Sequence, residues 1–223
     1  MTSDIRRPLE EINFDAMTLY LIGGGDIKAG KLETIDRQAL SESPNQNVFV
    51  LDLTTNDEDK LEKYRFFLKA YFENLGAKKI NFFSTTVPPV ADNIIAQSGL
   101  VYIPGGNTEI LMENIKKHNL SSTLKSAAGT IVGNSAGALV LCDNVVLTKD
   151  EDVLETKVIK GVGLVDFSID VHYDPSHDLE LSDLSKDGLI YAVPEESVII
   201  IRKHINFLGP IWRFSKGKKE VVK

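Results

Sequence analysis

The chain has 223 residues, of which 43% are hydrophobic, so it can build a core as one large domain or as two small ones. Its only cysteine is Cys142, which excludes an internal disulfide and leaves a cysteine-based zinc site without ligands. The net charge of −7, with no long basic block, argues against a nucleic-acid partner. No apolar run is long enough to span a bilayer, which argues against a membrane protein.

No low-complexity linker divides the chain, so we expect a single domain over residues 1–223. Residues 1–11 mix basic and acidic side chains and do not read as an export signal, so we expect a cytoplasmic protein. Composition requires no metal and no cofactor.

The first 140 residues alternate between apolar runs and helical patterns. Short, nearly continuous apolar runs predict buried strands at 17–22, 47–53, 80–83, 100–103 and 130–133. Helical patterns separate them at 31–40, 57–75, 90–98, 107–117 and 121–127. The clearest helix is 57–75, because its apolar residues advance mostly by three or four and Gly76 can cap its end. This alternation predicts an α/β fold with a doubly wound, mostly parallel sheet and helices on both faces.

The remainder of the chain, from Val145, has shorter strand-like pieces, which predict a β-rich completion of the same domain. They lie at 158–159, 168–171, 197–201 and 205–208.

The segment Gly133-Asn-Ser-Ala-Gly137 fits the pattern G-x-S-x-G and stands between a predicted strand and a helix-forming stretch. Glycines two residues either side of Ser135 permit the sharp strand-to-helix turn that exposes a nucleophilic hydroxyl. The alternative is an ordinary turn with a serine helix cap. The placement of the Gly133–Gly137 segment after a predicted strand favours Ser135 as a nucleophile.

A serine nucleophile needs a general base, and four histidines are available. His172 is favoured because it ends a predicted strand and opens a loop, and His177 is the second choice. We expect His118 to be a solvated helix cap and His204 to be a surface residue.

The base in turn needs a carboxylate that fixes its tautomer. Six acids stand near strand ends or near the histidine, and the residues alone do not choose among them; they are Asp150, Asp166, Asp170, Asp174, Glu195 and Glu196.

Backbone N–H groups should bind the oxyanion of the reaction. The N–H of Ala136, which follows the nucleophile, is one expected donor, and the Pro104-Gly-Gly106 turn is a plausible source of the second. The Gly23-Gly-Gly-Asp26 loop lacks the third glycine of a dinucleotide-binding fingerprint, and no Walker sequence occurs, so we expect no nucleotide cofactor. Cys142 is expected to be inert core.

These motifs together resemble peptidase family S51, which includes peptidase E (aspartyl dipeptidase) and cyanophycinase. The resemblance extends from the Leu21-Ile-Gly-Gly-Gly25 segment to the Pro194-Glu195 pair. It rests on Ile103-Pro-Gly-Gly-Asn-Thr108, on the elbow Gly133-Asn-Ser-Ala-Gly-Ala138 and on the interval of 172 − 135 = 37 residues between serine and histidine.

The resemblance implies a serine peptidase with a class I glutamine-amidotransferase-like fold that cleaves short peptides as a monomer or homodimer. It implies a triad of Ser135, His172 and Glu195. By position, Gly106 and Ala136 match the oxyanion donors of the family. We assign substrate binding to Asn107, Thr108 and Asp150, which also match positions of the family.

The sequence departs from the aspartate-specific members in one respect. The aspartate-specific members carry an arginine between the histidine and the glutamate. In this chain the corresponding residues, 173–194, contain only His177 and Lys186 as basic groups. We therefore expect that the chain is not a strict aspartyl dipeptidase.

Two other functions remain open. One is a glutamine-amidotransferase-like hydrolase, although that class has cysteine where Ser135 stands. The other is a catalytically silent binding or regulatory protein with the same fold. An activated serine distinguishes the leading hypothesis from the silent protein.

Overall fold

The computed structural model describes residues 12–83, 88–149 and 155–222. The first part of the chain, to the nucleophile elbow, alternates strands and helices. In order these are β1 (Met17–Ile22), α1 (Glu33–Glu42), β2 (Asn47–Val50), α2 (Glu58–Leu75), β3 (Lys79–Phe82), α3 (Pro88–Gln97), β4 (Leu100–Ile103), α4 (Thr108–Lys117), α5 (Leu120–Ser126), β5 (Gly129–Asn134) and α6 (Ala136–Leu139).

The second part of the chain is mainly β-structure. It comprises β6 (Asn144–Leu147), β7 (Lys157–Lys160), β8 (Ser168–Val171), a 3₁₀ turn (Pro175–His177), α7 (Asp178–Leu184), β9 (Leu189–Val193), β10 (Val198–Ile201), β11 (Ile205–Leu208), β12 (Trp212–Ser215) and β13 (Lys218–Val221).

Seven strands of the described ranges form the main sheet, in the order β3-β2-β4-β5-β1-β10-β11. The first five are parallel, and β10 and β11 add antiparallel to the β1 edge. The predicted doubly wound, mostly parallel sheet is confirmed. Strand β5 lies between β1 and β4, so the loops that follow these three strands meet at one edge of the sheet.

The main sheet is covered on both faces, as the strand residues show. In β1, Leu19 and Leu21 belong to one hydrophobic cluster, with residues of α4, α5 and α6, whereas Tyr20 and Ile22 belong to another, with α1 and α2. Alternating side chains of a strand point to opposite faces, so a strand buried on both sides is apolar throughout.

Helix α2, the clearest helix in the sequence, is defined by a cap at each end and a buried apolar stripe. The Asp57 side chain accepts a hydrogen bond from the Lys60 N–H at 3.0 Å and thereby caps the first turn. At the other end Gly76 adopts φ 103°, a left-handed conformation that glycine reaches without steric cost. Leu68, Phe72 and Leu75 form its buried stripe.

Of the eight described strands from β6 onward, four form a second sheet in the order β13-β12-β9-β8, while β10 and β11, at the expected 197–201 and 205–208, belong to the main sheet. Strands β8 and β9 are parallel, with α7 in the crossover between them, and β12 and β13 add antiparallel. The expected strand at 168–171 is β8, whereas β9, β12 and β13 were not predicted. A separate two-stranded hairpin, β6-β7, completes the described structure.

Candidate active site

Ser135 occupies the turn between β5 and α6 with φ 50° and ψ −113°, a strained conformation for a residue with a side chain. The two flanking glycines make this turn possible. A Cβ at Gly133 would lie 2.5 Å from the Gly137 carbonyl oxygen, and one at Gly137 would lie 2.0 Å from the carbonyl oxygen of Ile103. Only glycine permits such close backbone contact, which explains the G-x-S-x-G pattern locally.

The Ser135 hydroxyl faces a histidine. Its Oγ lies 2.8 Å from Nε2 of His172, and Nδ1 of the same ring lies 3.0 Å from Oε1 of Glu195. Both distances are those of hydrogen bonds. The three side chains therefore stand in line, with the imidazole between the hydroxyl and the carboxylate.

The parallel pairing of β8 and β9 brings the histidine and the glutamate together. Val171 pairs with Val193 in register, so His172 and Glu195 follow the same end of neighbouring strands. His172 has φ 50°, and its N–H donates to the Gly23 carbonyl at 2.7 Å. That bond ties the turn of the second sheet to the loop after β1 in the first.

The Gly23–Gly25 loop supports His172 and the chain that follows Glu195. A Cβ at Gly24 would lie 2.2 Å from Cε1 of His172, so the imidazole occupies the space that a larger residue would fill. The Gly24 carbonyl accepts a hydrogen bond from the Glu196 N–H at 2.9 Å. From the sequence, this loop was expected at the ligand edge of the sheet and was rejected as a nucleotide site; a glycine run after a strand was the available signal of its close packing on the histidine.

Of the two expected oxyanion donors, Ala136 directly follows Ser135, and Gly106 follows Gly105, which approaches the serine. Ala136 is the first residue of α6, where the N–H groups of a helix have no partner within the helix. A Cβ at Gly105 would lie 3.4 Å from Cβ of Ser135, so the glycine turn after β4 reaches the nucleophile. Gly106 has φ 139° and packs against Thr54, whose Oγ1 would lie 2.7 Å from an added Cβ. Nothing in the sequence pointed to Thr54.

Of the residues that we assigned to substrate binding, the structure describes Asn107 and Thr108. The Asn107 side chain accepts from the Ile110 N–H at 2.8 Å and caps α4, which begins at Thr108. Asp150 lies outside the described residues.

The other histidines have separate surroundings. His177 Nδ1 lies 3.0 Å from Oδ2 of the buried Asp170, whose Oδ1 accepts from the Thr148 hydroxyl at 2.9 Å. Burial raises the pKa of the Asp170 carboxyl, although the bonds from His177 and Thr148 lower it. His204 is exposed, as expected.

The expectation for His118 is wrong in part. It does end α4, but its ring is half-buried against Phe83, at 4.9 Å between ring centroids. Burial lowers the pKa of His118, and Lys117 adds to that effect. The predicted solvated cap is therefore a packed one.

The remaining acids named from the sequence stand apart from the serine. Glu196 pairs with Lys31 at 3.2 Å, and Asp174 accepts from the Ser176 N–H and caps the 3₁₀ turn. Asp166 is exposed. Cys142 is fully buried, and burial raises the pKa of its thiol, which keeps it protonated and inert.

The site is open to solvent, since the side chains of His172 and Glu195 are 48% and 59% exposed. Two surface grooves lie elsewhere, one lined by α1 and one by residues near the start of β1 and β5. Among the described residues no group of three or more histidine, cysteine, aspartate or glutamate side chains is arranged to hold a metal ion. No helix in the described ranges is both long and apolar enough to cross a bilayer.

A serine on a strand-to-helix elbow, in line with a histidine and a carboxylate, is the arrangement that serine hydrolases use. The sequence model of peptidase family S51 matches residues 19–206. The chain therefore belongs to peptidase family S51, a family of serine-type peptidases.

Two curated relatives are both called peptidase E. The relative from Nostoc sp. (strain PCC 7120 / SAG 25.82 / UTEX 2576) is 26% identical over 147 residues, which is 57% of this chain and 61% of its own length. The relative from Haemophilus influenzae (strain PittGG) is 27% identical over 143 residues, 56% of this chain and 61% of its own length. The matched part is thus less than two thirds of each relative.

Solved structures share the fold over nearly the whole chain. A peptidase from an acI-B1 Actinobacterium has a TM-score of 0.70 at 16% identity, covering 93% of this chain and 94% of its own. A candidate peptidase E from Listeria monocytogenes EGD-e has a TM-score of 0.64 at 20% identity, covering 86% and 98%.

Proposed function

We propose that the chain is a serine peptidase that hydrolyses short peptides, in the manner of a dipeptidase, through a Ser135–His172–Glu195 triad. The observation that carries the proposal is the pair of contacts at the imidazole, 2.8 Å to Ser135 Oγ and 3.0 Å to Glu195 Oε1. Family membership supports the reaction class. The dipeptide substrate rests on the resemblance to aspartyl dipeptidase alone.

The acylation step follows from these contacts. His172 Nε2 accepts the Ser135 proton as Oγ attacks the peptide carbonyl carbon, and Glu195 stabilises the imidazolium through the Nδ1–H bond. The N–H groups of Ala136 and Gly106 bind the oxyanion of the tetrahedral intermediate. The imidazolium then protonates the leaving amine, the C–N bond breaks and an acyl-Ser135 ester remains.

Deacylation repeats the same steps with water. His172 takes a proton from a water molecule that attacks the ester carbonyl, and returns that proton to Ser135 Oγ as the ester bond breaks. The products are the free carboxylate and the regenerated hydroxyl. We assign the binding of the peptide around the reacting bond to Asn107, Thr108 and Asp150.

The test is turnover of a library of dipeptides and isoaspartyl dipeptides by the wild-type chain and its Ser135→Ala variant. We expect Ser135→Ala to lower kcat by about 10³-fold or more while the fold is kept, because one hydroxyl on a turn adds little to the core. Wild-type kcat in the purified variant would contradict the peptidase proposal.

A matched pair of histidine variants tests the base. We expect His172→Gln to lose activity by orders of magnitude and His177→Gln to keep most of it, because only His172 contacts Ser135. An inactive His177→Gln beside an active His172→Gln would contradict the assignment. A wild-type chain with no turnover of any peptide would favour the silent binding protein.

A further inference from the structure

The residue that follows the histidine is far more buried than the histidine itself. Tyr173 is 6% exposed and belongs to a third hydrophobic cluster, apart from the two clusters on the main sheet. Its ring lies 5.0 Å, centroid to centroid, from that of Trp212. His172, by contrast, is half exposed; Gly23 accepts a hydrogen bond from its N–H, and Tyr173 anchors the chain that follows it.

Lys219 joins the polar end of Tyr173 to a carboxylate. Its Nζ donates to the Tyr173 hydroxyl at 2.6 Å and to the two Asp178 carboxylate oxygens at 2.9 and 2.8 Å. The Tyr173 hydroxyl in turn donates to Asp178 Oδ1 at 2.5 Å. Three groups thus form a closed set of charge-assisted hydrogen bonds.

Aromatic rings surround the same ammonium group. Nζ of Lys219 lies 5.2 Å from the ring centroid of Trp212 and 5.7 Å from that of Phe214. A cation at this distance is attracted to the face of an aromatic ring. Burial opposes the charge, but the bonds with Asp178 and Tyr173 raise the pKa of Lys219, so the ammonium stays charged.

The β12–β13 hairpin, which carries Lys219, contacts the strand that leads to Glu195 and the residue that follows His172. Strand β12 pairs with β9, the strand that leads to Glu195, while β13 supplies the lysine that binds Tyr173. Both strands lie beyond residue 206, where the match to the family model ends. Family membership therefore assigns no role to this hairpin.

We propose that Lys219 is a positioning residue, which holds Tyr173 and Asp178 and thereby fixes the His172 imidazole between Ser135 and Glu195. The inference rests on the proposed peptidase function. Holding reacting groups in an attack geometry is worth a large rate factor, and a displacement of about 1 Å can cost about 100-fold. The lysine touches no reacting atom, so its loss should slow the chemical step and leave substrate affinity nearly unchanged.

The experiment compares Lys219→Met with Lys218→Met, its neighbour on β13, whose side chain points to the opposite face. Methionine keeps most of the apolar stem and removes the charge. For a dipeptide that the wild type hydrolyses, we expect Lys219→Met to lower kcat at least about tenfold, with KM within about twofold. Lys218→Met should match the wild type.

Two further measurements separate positioning from simple destabilisation. We expect a fluorophosphonate to label Lys219→Met more slowly than the wild type but to the same final stoichiometry, since every folded chain keeps its serine. Lys219→Arg should restore kcat to within about threefold, because arginine keeps the charge, the carboxylate pairing and the stacking.

Wild-type kcat and labelling rate in Lys219→Met, even with a lowered Tm, would overturn the positioning role. If Lys219→Met fails to fold, Tyr173→Phe decides, because it removes one hydroxyl and keeps the packed ring: lowered kcat supports the proposal and unchanged kcat overturns it. A wild-type chain that neither hydrolyses peptides nor takes the label contradicts the proposed function itself, and the positioning role with it.

Discussion

At the scale of single residues, two adjacent glutamates after β9 have different surroundings. Glu195 Oε1 lies 3.0 Å from His172 Nδ1, whereas Glu196 has φ 61° and pairs with Lys31. The chain turns between them, so their carboxylates diverge. Only the first can fix the tautomer of the imidazole.

We expect Glu195→Gln to lower kcat by about 100-fold or more, because an amide does not stabilise the imidazolium as a carboxylate does. Glu196→Gln, the matched control, should lower it by less than about threefold, since its ion pair is exposed. Steady-state hydrolysis of one dipeptide by both variants measures the difference. Equal losses, or a larger loss at Glu196, would show that the wrong glutamate was chosen.

Gly24 leaves room for the imidazole. An alanine there would place its Cβ 2.2 Å from Cε1 of His172 and would require φ 126°. We expect Gly24→Ala to lower kcat/KM by about 100-fold through displacement of the ring. Gly188→Ala is the control, because a Cβ at Gly188 meets nothing within 4 Å. Unchanged kcat/KM in Gly24→Ala would mean that the ring position is not critical.

At the scale of elements, the packing of α1 on α2 buries a carboxyl group. Asp36 is 1% exposed and its Oδ2 accepts a hydrogen bond from the Tyr71 hydroxyl at 2.7 Å. Burial raises the pKa of Asp36 to about 7, although the Tyr71 bond lowers it. The folded chain therefore holds this proton more tightly than the unfolded chain, whose aspartate has its ordinary pKa of about 3.9.

The sign of the linkage follows from the raised pKa. The stability that depends on protonated Asp36 is complete below about pH 4 and is lost as the pH rises to about 7, because the unfolded chain ionises first. Asp36→Asn cannot ionise, so the free energy of unfolding of the variant, relative to the wild type, should rise by about 2.5 kcal/mol between pH 5 and pH 8.

Urea unfolding at the two pH values measures this difference, with Asp59→Asn on the exposed face of α2 as the control. The control should show almost no change between pH 5 and pH 8. A difference for Asp36→Asn that does not depend on pH would contradict the linkage.

The elements that were predicted share a simple sequence signature. Strands β1 and β4 are buried and read as nearly continuous apolar runs, β5 is buried with an apolar centre, and α2 has a clear stripe with caps at both ends. Among the strands that were missed, β9 is itself a short, buried apolar run that the sequence could have shown, whereas β12 and β13 have mixed or polar patterns. Strand β13, Lys218–Val221, is exposed along its whole length and is strand only because it pairs with β12.

From the residues alone, the site could be predicted only where its residues are neighbours along the chain. The elbow around Ser135 is one contiguous segment, so its turn follows from its own glycines. His172 and Glu195 are 37 and 60 residues from the serine along the chain, and the pairing of β8 with β9 that joins them was not predictable without β9. The residues alone therefore left the acid open, and only the resemblance chose Glu195.

At the scale of the whole molecule, the arrangement of arginines bears on specificity. Residues 173–194 contain no arginine, and Arg202 and Arg213, the two that follow this segment, are paired with Glu42 and Glu220. Burying the side-chain carboxylate of an N-terminal aspartate without a cation costs several kcal/mol, in rough terms.

We therefore expect dipeptides with a neutral or basic first residue to be hydrolysed at least as fast as those with aspartate. A dipeptide panel at equal concentration, varied only in the first residue, measures kcat/KM for each. Turnover restricted to peptides that begin with aspartate would refute the expectation and would mean that a cation from elsewhere reaches the substrate.

Activation of Ser135 by His172 is tested most directly by intact-mass measurement and peptide mapping after reaction with a fluorophosphonate. We expect one adduct per chain, located on Ser135, absent in Ser135→Ala and formed far more slowly in His172→Gln. Labelling that reaches another residue, or labelling of Ser135 at the same rate with and without His172, would contradict an activated Ser135.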